Sequence, residues 1–237
     1  MNEQQIPPPA PPPADARSGV PKSTTGEPAS PLRASAGGGA STLLFLVRHG
    51  RVHNPDEVAY GHLPRYGLDA EGRLDAERAA ALLAAHQIVA IVVSPLLRAR
   101  QTARVIRRVT GEIPLHQDVR LRESELARFW QGLPWRELTT VHADLYATFE
   151  TTPSLIETGE TMAAMASRMR SACLSAARRY PGHAVALVSH RDPILALRFA
   201  VTDGDFDALN RTPCQPGSIT EVRVEDRRLT YVGYTEP

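Results

Sequence analysis

Leu43-Leu44-Phe45-Leu46-Val47-Arg48-His49-Gly50 is the stretch whose pattern decides the architecture. A strand with one face in water alternates apolar and polar side chains. A short uninterrupted apolar run instead predicts a strand buried on both faces, as in a parallel sheet covered by helices. The run ends on an arginine, a histidine and a glycine, so two polar side chains stand where the chain leaves the sheet. Two further runs have the same character, Ile88-Val89-Ala90-Ile91-Val92-Val93 and Ala184 to Val188. Helical patterns lie between and after them. Asp69-Ala70-Glu71-Gly72 is turn-like, and Leu74 to His86 carries Leu and Ala at helical spacing. Ser94 is placed to cap a helix that has Pro95 as its first residue and runs to about Val109. Trp135 to Phe149 reads as one helix. Thr158-Gly159-Glu160-Thr161 opens a long one that reaches about Tyr180, where Pro181-Gly182 stops it. Pro193 to Ala200 is a shorter helix. The alternating runs Ser218 to Val224 and Arg228 to Tyr234 predict a closing hairpin around Glu225-Asp226-Arg227. Strands alternating with helices indicate an α/β fold, a three-layer α/β/α sandwich with a mostly parallel central sheet.

Residues 1 to about 40 have a different composition. Nine of the 20 prolines fall there, among Ala, Ser, Thr and Gly with almost no large aliphatic side chains. Such a segment buries too little apolar surface to offset its ordering entropy and is expected to be a disordered tail. Pro7-Pro8-Pro9-Ala10-Pro11-Pro12-Pro13 favours polyproline II, and Gly37-Gly38-Gly39 links the tail to a catalytic domain spanning 41–237. The chain carries 27 Lys+Arg against 26 Asp+Glu. That balance argues against a nucleic-acid or membrane-surface binder, which needs a basic stripe. No apolar run approaches membrane-helix length and no secretory pattern opens the chain, so a cytoplasmic location is the expectation. Cys173 and Cys214 are too few for a disulfide framework and read as inert thiols.

In open α/β sheets, ligands bind beyond the carboxyl ends of the strands. Arg48-His49 follows the first run, Ser94 the second and Ser189-His190 the third, and Arg98 lies just past the second. Arginine offers a planar fork of donors that suits phosphate oxygens and keeps its charge at any working pH. Two arginines and a histidine can neutralise a phosphoryl group, while a second histidine attacks phosphorus as a neutral imidazole and forms a phosphohistidine. The arginines supply the charge a metal would otherwise provide, so no metal or organic cofactor is expected.

In their order, these blocks resemble the histidine phosphatase superfamily, which includes the cofactor-dependent phosphoglycerate mutases. The matching residues are Leu46-Val47-Arg48-His49-Gly50, Asn54, Asp69-Ala70-Glu71-Gly72, and Ser94-Pro95-Leu96-Leu97-Arg98-Ala99-Arg100-Gln101-Thr102-Ala103. Leu121-Arg122-Glu123 with Phe129-Trp130-Gln131-Gly132, Gly159-Glu160-Thr161 and Val188-Ser189-His190 complete the series. The resemblance implies a phosphoglycerate mutase-like fold and a phosphomonoesterase. His49 would be the nucleophile, Arg48, Arg98 and His190 the phosphoryl-binding groups, and Glu123 the general acid and base. Asn54 would supply a further donor. Ser94 and Glu160 read as caps or supports, and Glu125 is a rival acid two residues from Glu123.

Arg51 stands where the family usually has an acidic or amide residue, and Arg191 where it usually has glycine. Both are candidate substrate contacts that would add positive charge at the rim and favour a second acidic group. Ala127 replaces the usual glycine of the acid block. His53 and His62 are placed to line the mouth, Gly217-Ser218 to approach the site by backbone, and Arg104, Arg107 and Arg108 to form a solvated face. Mutases of the family carry a long insertion between the acid block and the second histidine. Only 66 residues separate Glu123 from His190, and helices account for most of them. That favours an open site and hydrolysis of a small phosphorylated metabolite over mutase transfer. A catalytically weak binding module on the same fold is the third reading, and nothing in the sequence sets the oligomeric state.

Overall fold

A computed structural model describes residues 41–237; the expected tail, 1–40, lies outside the described residues. In chain order the elements are β1 (Thr42–Arg48), α1 (Ala70–Ala84), β2 (Ile88–Val93), α2 (Leu97–Thr110) and β3 (Leu115–Gln117). Then come α3 (Ala127–Trp130), α4 (Trp135–Val141), α5 (Ala143–Thr151), α6 (Met162–Arg179), β4 (Ala184–Ser189), α7 (Arg191–Val201), β5 (Ile219–Glu225) and β6 (Arg228–Thr235). The six strands form one sheet in the order β3-β2-β4-β1-β5-β6. Strands β1 to β4 are mutually parallel, and β5 and β6 pair antiparallel.

The continuous apolar runs are explained by the two faces they fill. Leu44 and Leu46 of β1, with Val185 and Leu187 of β4, pack under α6 and α7. Phe45 and Val47, with Ala186 and Val188, pack under α1 and α2. Successive side chains of a strand point to opposite faces, so a three-layer sandwich requires every position to be apolar. Each buried side chain such as Leu187 contributes roughly 1.5–3 kcal/mol. Cys173 sits in the α6 layer, and burial pushes its thiol up to about 12, which keeps it an apolar filler. The closing hairpin turns on Asp226 and Arg227, both at positive φ, the combination that matches the twist of a two-residue turn.

Three expectations are corrected. Helix α2 begins at Leu97, not Pro95, and Leu96 at its cap makes no side-chain cap bond. The Ser94 hydroxyl instead accepts from Leu96 N at 3.3 Å and bonds His190. The stretch 135–149 is two helices, broken at His142 (φ −131°, ψ 43°). The bend lets Leu138 of α4 and Tyr146 and Phe149 of α5 converge with Trp130 in a small separate core. Helix α7 begins at Arg191, ahead of Pro193, which sits in a first turn where its missing N–H is no loss. The short β3 and α3 carry too few residues to show a period. Among the described residues no helix is long and apolar enough to cross a membrane.

Candidate active site

Strand order brings the chemistry together. β4 lies between β2 and β1, all three parallel, so the residues leaving their carboxyl ends must meet, with His190 between Ser94 and Arg48-His49. Backbone bonds extend the ladder past the strands: His49 N donates to Ser189 O at 3.1 Å and Ser94 N to Val188 O at 2.9 Å. Arg48 N donates to Ser218 O and Gly217 N to Arg48 O, each at 3.0 Å, the backbone approach expected of Gly217-Ser218. Gly50 is required by close packing. A Cβ there would lie 2.0 Å from Gly72 O, where the loop after β1 crosses the start of α1.

His49 is buried, and its ring is held at both nitrogens. Nδ1 faces Gly50 O at 2.8 Å, so that nitrogen carries the proton and Nε2 the lone pair. Arg98 Nε donates to that Nε2 at 3.1 Å. Burial, then the charges of Arg98 and Arg48, hold the His49 pKa well below its usual value, so the imidazole is neutral and nucleophilic at neutral pH. Arg98 is fully buried; its Nη2 donates to Gly61 O at 3.0 Å and its guanidinium lies 4.8 Å from the centre of the Tyr60 ring. Gly61 adopts positive φ, and a Cβ there would meet Ala127 O at 2.5 Å, so this carbonyl is delivered by a residue without a side chain. His190 stacks edge-on against His49 with ring centroids 5.0 Å apart. Its Nε2 bonds Ser94 Oγ at 2.7 Å. The Ser94 hydroxyl proton has no other acceptor among the described residues, so we assign it to His190 Nε2, which places the neutral ring's N–H on Nδ1.

Beside His49, three buried donors have no partner among the described residues: Arg48 Nε, Arg98 Nη1 and His190 Nδ1. Buried polar groups are almost always hydrogen-bonded, and leaving one unpaired costs about 1–3 kcal/mol. Three such donors around one imidazole lone pair make a cradle for an anion with several oxygens. The His49, Glu123 and His190 ligand atoms lie within 4.8 Å of one another, a spacing a cation could use. Two guanidinium groups beside them repel a cation, so this donor set suits a phosphoryl group.

Glu123 lies with Oε2 3.9 Å from His190 Nδ1. Burial, then the Asp192 charge, raises its pKa to about 7. Glu125, the rival acid, is committed elsewhere, paired with Arg122 and with Arg128. The segment bearing Glu123 is clamped by Arg168, which donates to Arg120 O at 2.6 Å and Arg122 O at 2.8 Å. Glu160 holds that guanidinium through Nε at 2.6 Å and Nη2 at 2.9 Å, the supporting role expected of Glu160. His62 Nε2 meets Glu123 O at 2.9 Å. Arg168 and Tyr60 escaped the sequence reading: one is an arginine on an amphipathic helix, the other a lone tyrosine in a loop.

The remaining candidates are engaged away from the three open donors. Asn54 donates to Val58 O at 2.9 Å and accepts from Val58 N at 3.2 Å, so its amide ties a loop. Arg51 projects into solvent and pairs with Asp69 at 2.7 Å. Arg191 borders the cavity but its guanidinium is taken by Asp192 at 2.9 Å, Asn210 at 3.1 Å and Leu209 O at 2.7 Å.

The family profile described as histidine phosphatase superfamily (branch 1) matches residues 44–237. The chain is 36% identical over 204 residues to the uncharacterized protein Rv0525 of Mycobacterium tuberculosis, covering 83% of this chain and 96% of that one. Among solved structures it resembles Bacillus stearothermophilus YhfR at TM-score 0.72 and 30% identity, covering 81% of this chain and 94% of that one. It also resembles the mycobacterial glucosyl-3-phosphoglycerate phosphatase Rv2419c at TM-score 0.65 and 25% identity, covering 77% and 90%.

Proposed function

The chain belongs to the histidine phosphatase superfamily, and on that footing we propose that it hydrolyses small phosphomonoesters through a phosphohistidine on His49. The observation that carries this is the set of unpartnered buried donors, Arg48 Nε, Arg98 Nη1 and His190 Nδ1, around the His49 lone pair. The phosphoryl oxygens accept from these donors, which also meet the charge that builds as phosphorus is transferred. His49 Nε2 attacks phosphorus. The bond to the leaving oxygen breaks, and Glu123 gives that oxygen its proton. Water then attacks phosphorus, Glu123 takes its proton, and the N–P bond breaks to release phosphate and restore His49. A pKa of about 7 suits a carboxyl that must donate in one half-reaction and accept in the next. Phosphate release from an aryl phosphate and a panel of phosphorylated metabolites tests the reading. Exchange of phosphate between two positions of one substrate, without release, would favour mutase chemistry.

Glu123 sets the pH dependence. Its protonated form predominates below about 7, so kcat/KM stays high on the acidic side and falls as pH rises through about 7. Glu123→Gln removes this falling limb and lowers kcat by roughly 10²–10⁴-fold with poor leaving groups. A pH profile of both proteins checks this; an unchanged limb in the variant contradicts it.

Ser94 is a positioning residue for His190. Ser94→Ala lowers kcat/KM about tenfold, since one hydrogen bond of about 1 kcal/mol and the preference for the Nδ1–H tautomer are lost together. Burial, then the charge of Arg98, holds the His190 pKa well below its usual value, so the ring stays neutral at assay pH and the loss persists across it. Nitrogen chemical shifts of the His190 ring read the tautomer directly: an Nδ1–H population unchanged in Ser94→Ala would assign Ser94 a merely structural part.

A further inference from the structure

The cavity that opens from Arg48 and Glu123 holds about 280 Å³. Away from the phosphoryl cradle its wall is aromatic: Trp130, Trp135, Tyr146 and Phe149, from α3, α4 and α5. Trp130 anchors this wall, with Phe149 at 5.0 Å and Tyr146 at 6.0 Å between ring centroids, both edge-on. Its ring is 2% exposed, yet its indole Nε1–H has no acceptor among the described residues. A buried indole donor normally finds a partner, and Trp130 lines the cavity, so an oxygen on a bound ester could supply one.

Charge on the same wall points in one direction. Among the described residues Arg191 is the one cation lining it apart from Arg48, and Asp192, Asn210 and Leu209 O already take its donors. Glu150 lines the cavity at the exposed side and forms no ion pair among the described residues. A second anion on the substrate would therefore meet the carboxylates of Glu150 and Asp192 and, beyond Arg48, no uncommitted cation.

We propose that this cavity selects phosphate esters whose leaving group has a flat apolar or aromatic face and an oxygen acceptor, and carries no second anionic group. The inference rests on the phosphatase reading of the site. It reverses the expectation that Arg51 and Arg191 would attract a doubly acidic substrate, because both guanidinium groups are neutralised within the protein.

The test compares kcat/KM of the full chain for phenyl phosphate, a set of aryl phosphates bearing ring hydroxyl or carbonyl groups, and 3-phosphoglycerate. The aryl esters are expected to exceed 3-phosphoglycerate at least about tenfold, the scale of one unscreened like-charge contact near a protein surface. Glu150→Lys, at an exposed position, narrows that ratio about tenfold by improving 3-phosphoglycerate relative to phenyl phosphate. Trp130→Phe keeps a ring in the wall and removes the donor. It lowers kcat/KM for at least one oxygenated aryl ester about fivefold more than it lowers that for phenyl phosphate. Equal or better hydrolysis of 3-phosphoglycerate by the wild-type protein overturns this inference alone, as does a Trp130→Phe protein that matches wild type across the whole set. No phosphate release from any ester overturns the phosphatase reading and this inference with it.

Discussion

His49→Ala lowers kcat for an aryl phosphate by on the order of 10⁵-fold, as expected when the residue that forms the covalent intermediate is removed. The same substitution leaves ester binding intact or tighter. His49 Nε2 accepts from Arg98 Nε at 3.1 Å, so deleting the imidazole frees a further guanidinium donor for the phosphoryl oxygens. The expected signature is thus a collapse of kcat with KM unchanged or lower. A parallel rise in KM would instead indicate that His49 mainly holds the substrate.

Arg98→Met gives the second large effect, and it separates activity from stability. Removing the guanidinium deletes the Nη1 donor and one of the two charges beside His49, with an expected loss on the order of 10³-fold in kcat. The His49 pKa rises towards its ordinary value, since Arg98 is the largest charge depressing it. The imidazole then protonates over a higher range, and the variant loses residual activity on the acidic side where wild type holds its plateau. Stability behaves differently. Arg98 is fully buried, its own pKa is lowered chiefly by burial, and it has no carboxylate partner within ion-pair distance among the described residues. A fully buried charge of this kind contributes little net stability, whereas breaking a buried ion pair costs about 3–5 kcal/mol. Arg98→Met is therefore expected to change the unfolding free energy by no more than about 1 kcal/mol. Thermal melts and steady-state kinetics on one preparation check both halves.

What could be read from the sequence divides along physical lines. The strands and the large helices were legible because each repeats a pattern over many residues, as β1, β2 and β4 do by being apolar throughout. Residues leaving strand ends were legible for the same reason: once three strands are placed parallel, Arg48, His49 and His190 have nowhere else to go. For Ser94 the sequence left cap and support both open, because a serine before a proline and a helix has two uses, and only β4 lying beside β2 decides for support of His190. The break at His142 carries no glycine or proline and arises from packing around Trp130, which local pattern does not express. Arg51 and Arg191 show the limit most clearly. Their charge is visible in sequence, but Asp69, Asp192 and Asn210 cancel it in space, and Asn210 is 19 residues from Arg191. Arg168 is the converse case. It reaches the carbonyl groups of Arg120 and Arg122 from a helix nearly fifty residues away, so its part in placing Glu123 is purely tertiary.

Hydrolysis by this route requires that His49 carry the phosphoryl group. Rapid quenching of the full chain during turnover of a radiolabelled aryl phosphate, followed by proteolysis, reads this directly. Label on the peptide containing His49, stable to alkali and labile to acid, and missing from the corresponding peptide of His49→Ala, is the predicted result. Phosphate release at full rate with no label on that peptide, or label on His190 instead, would contradict it.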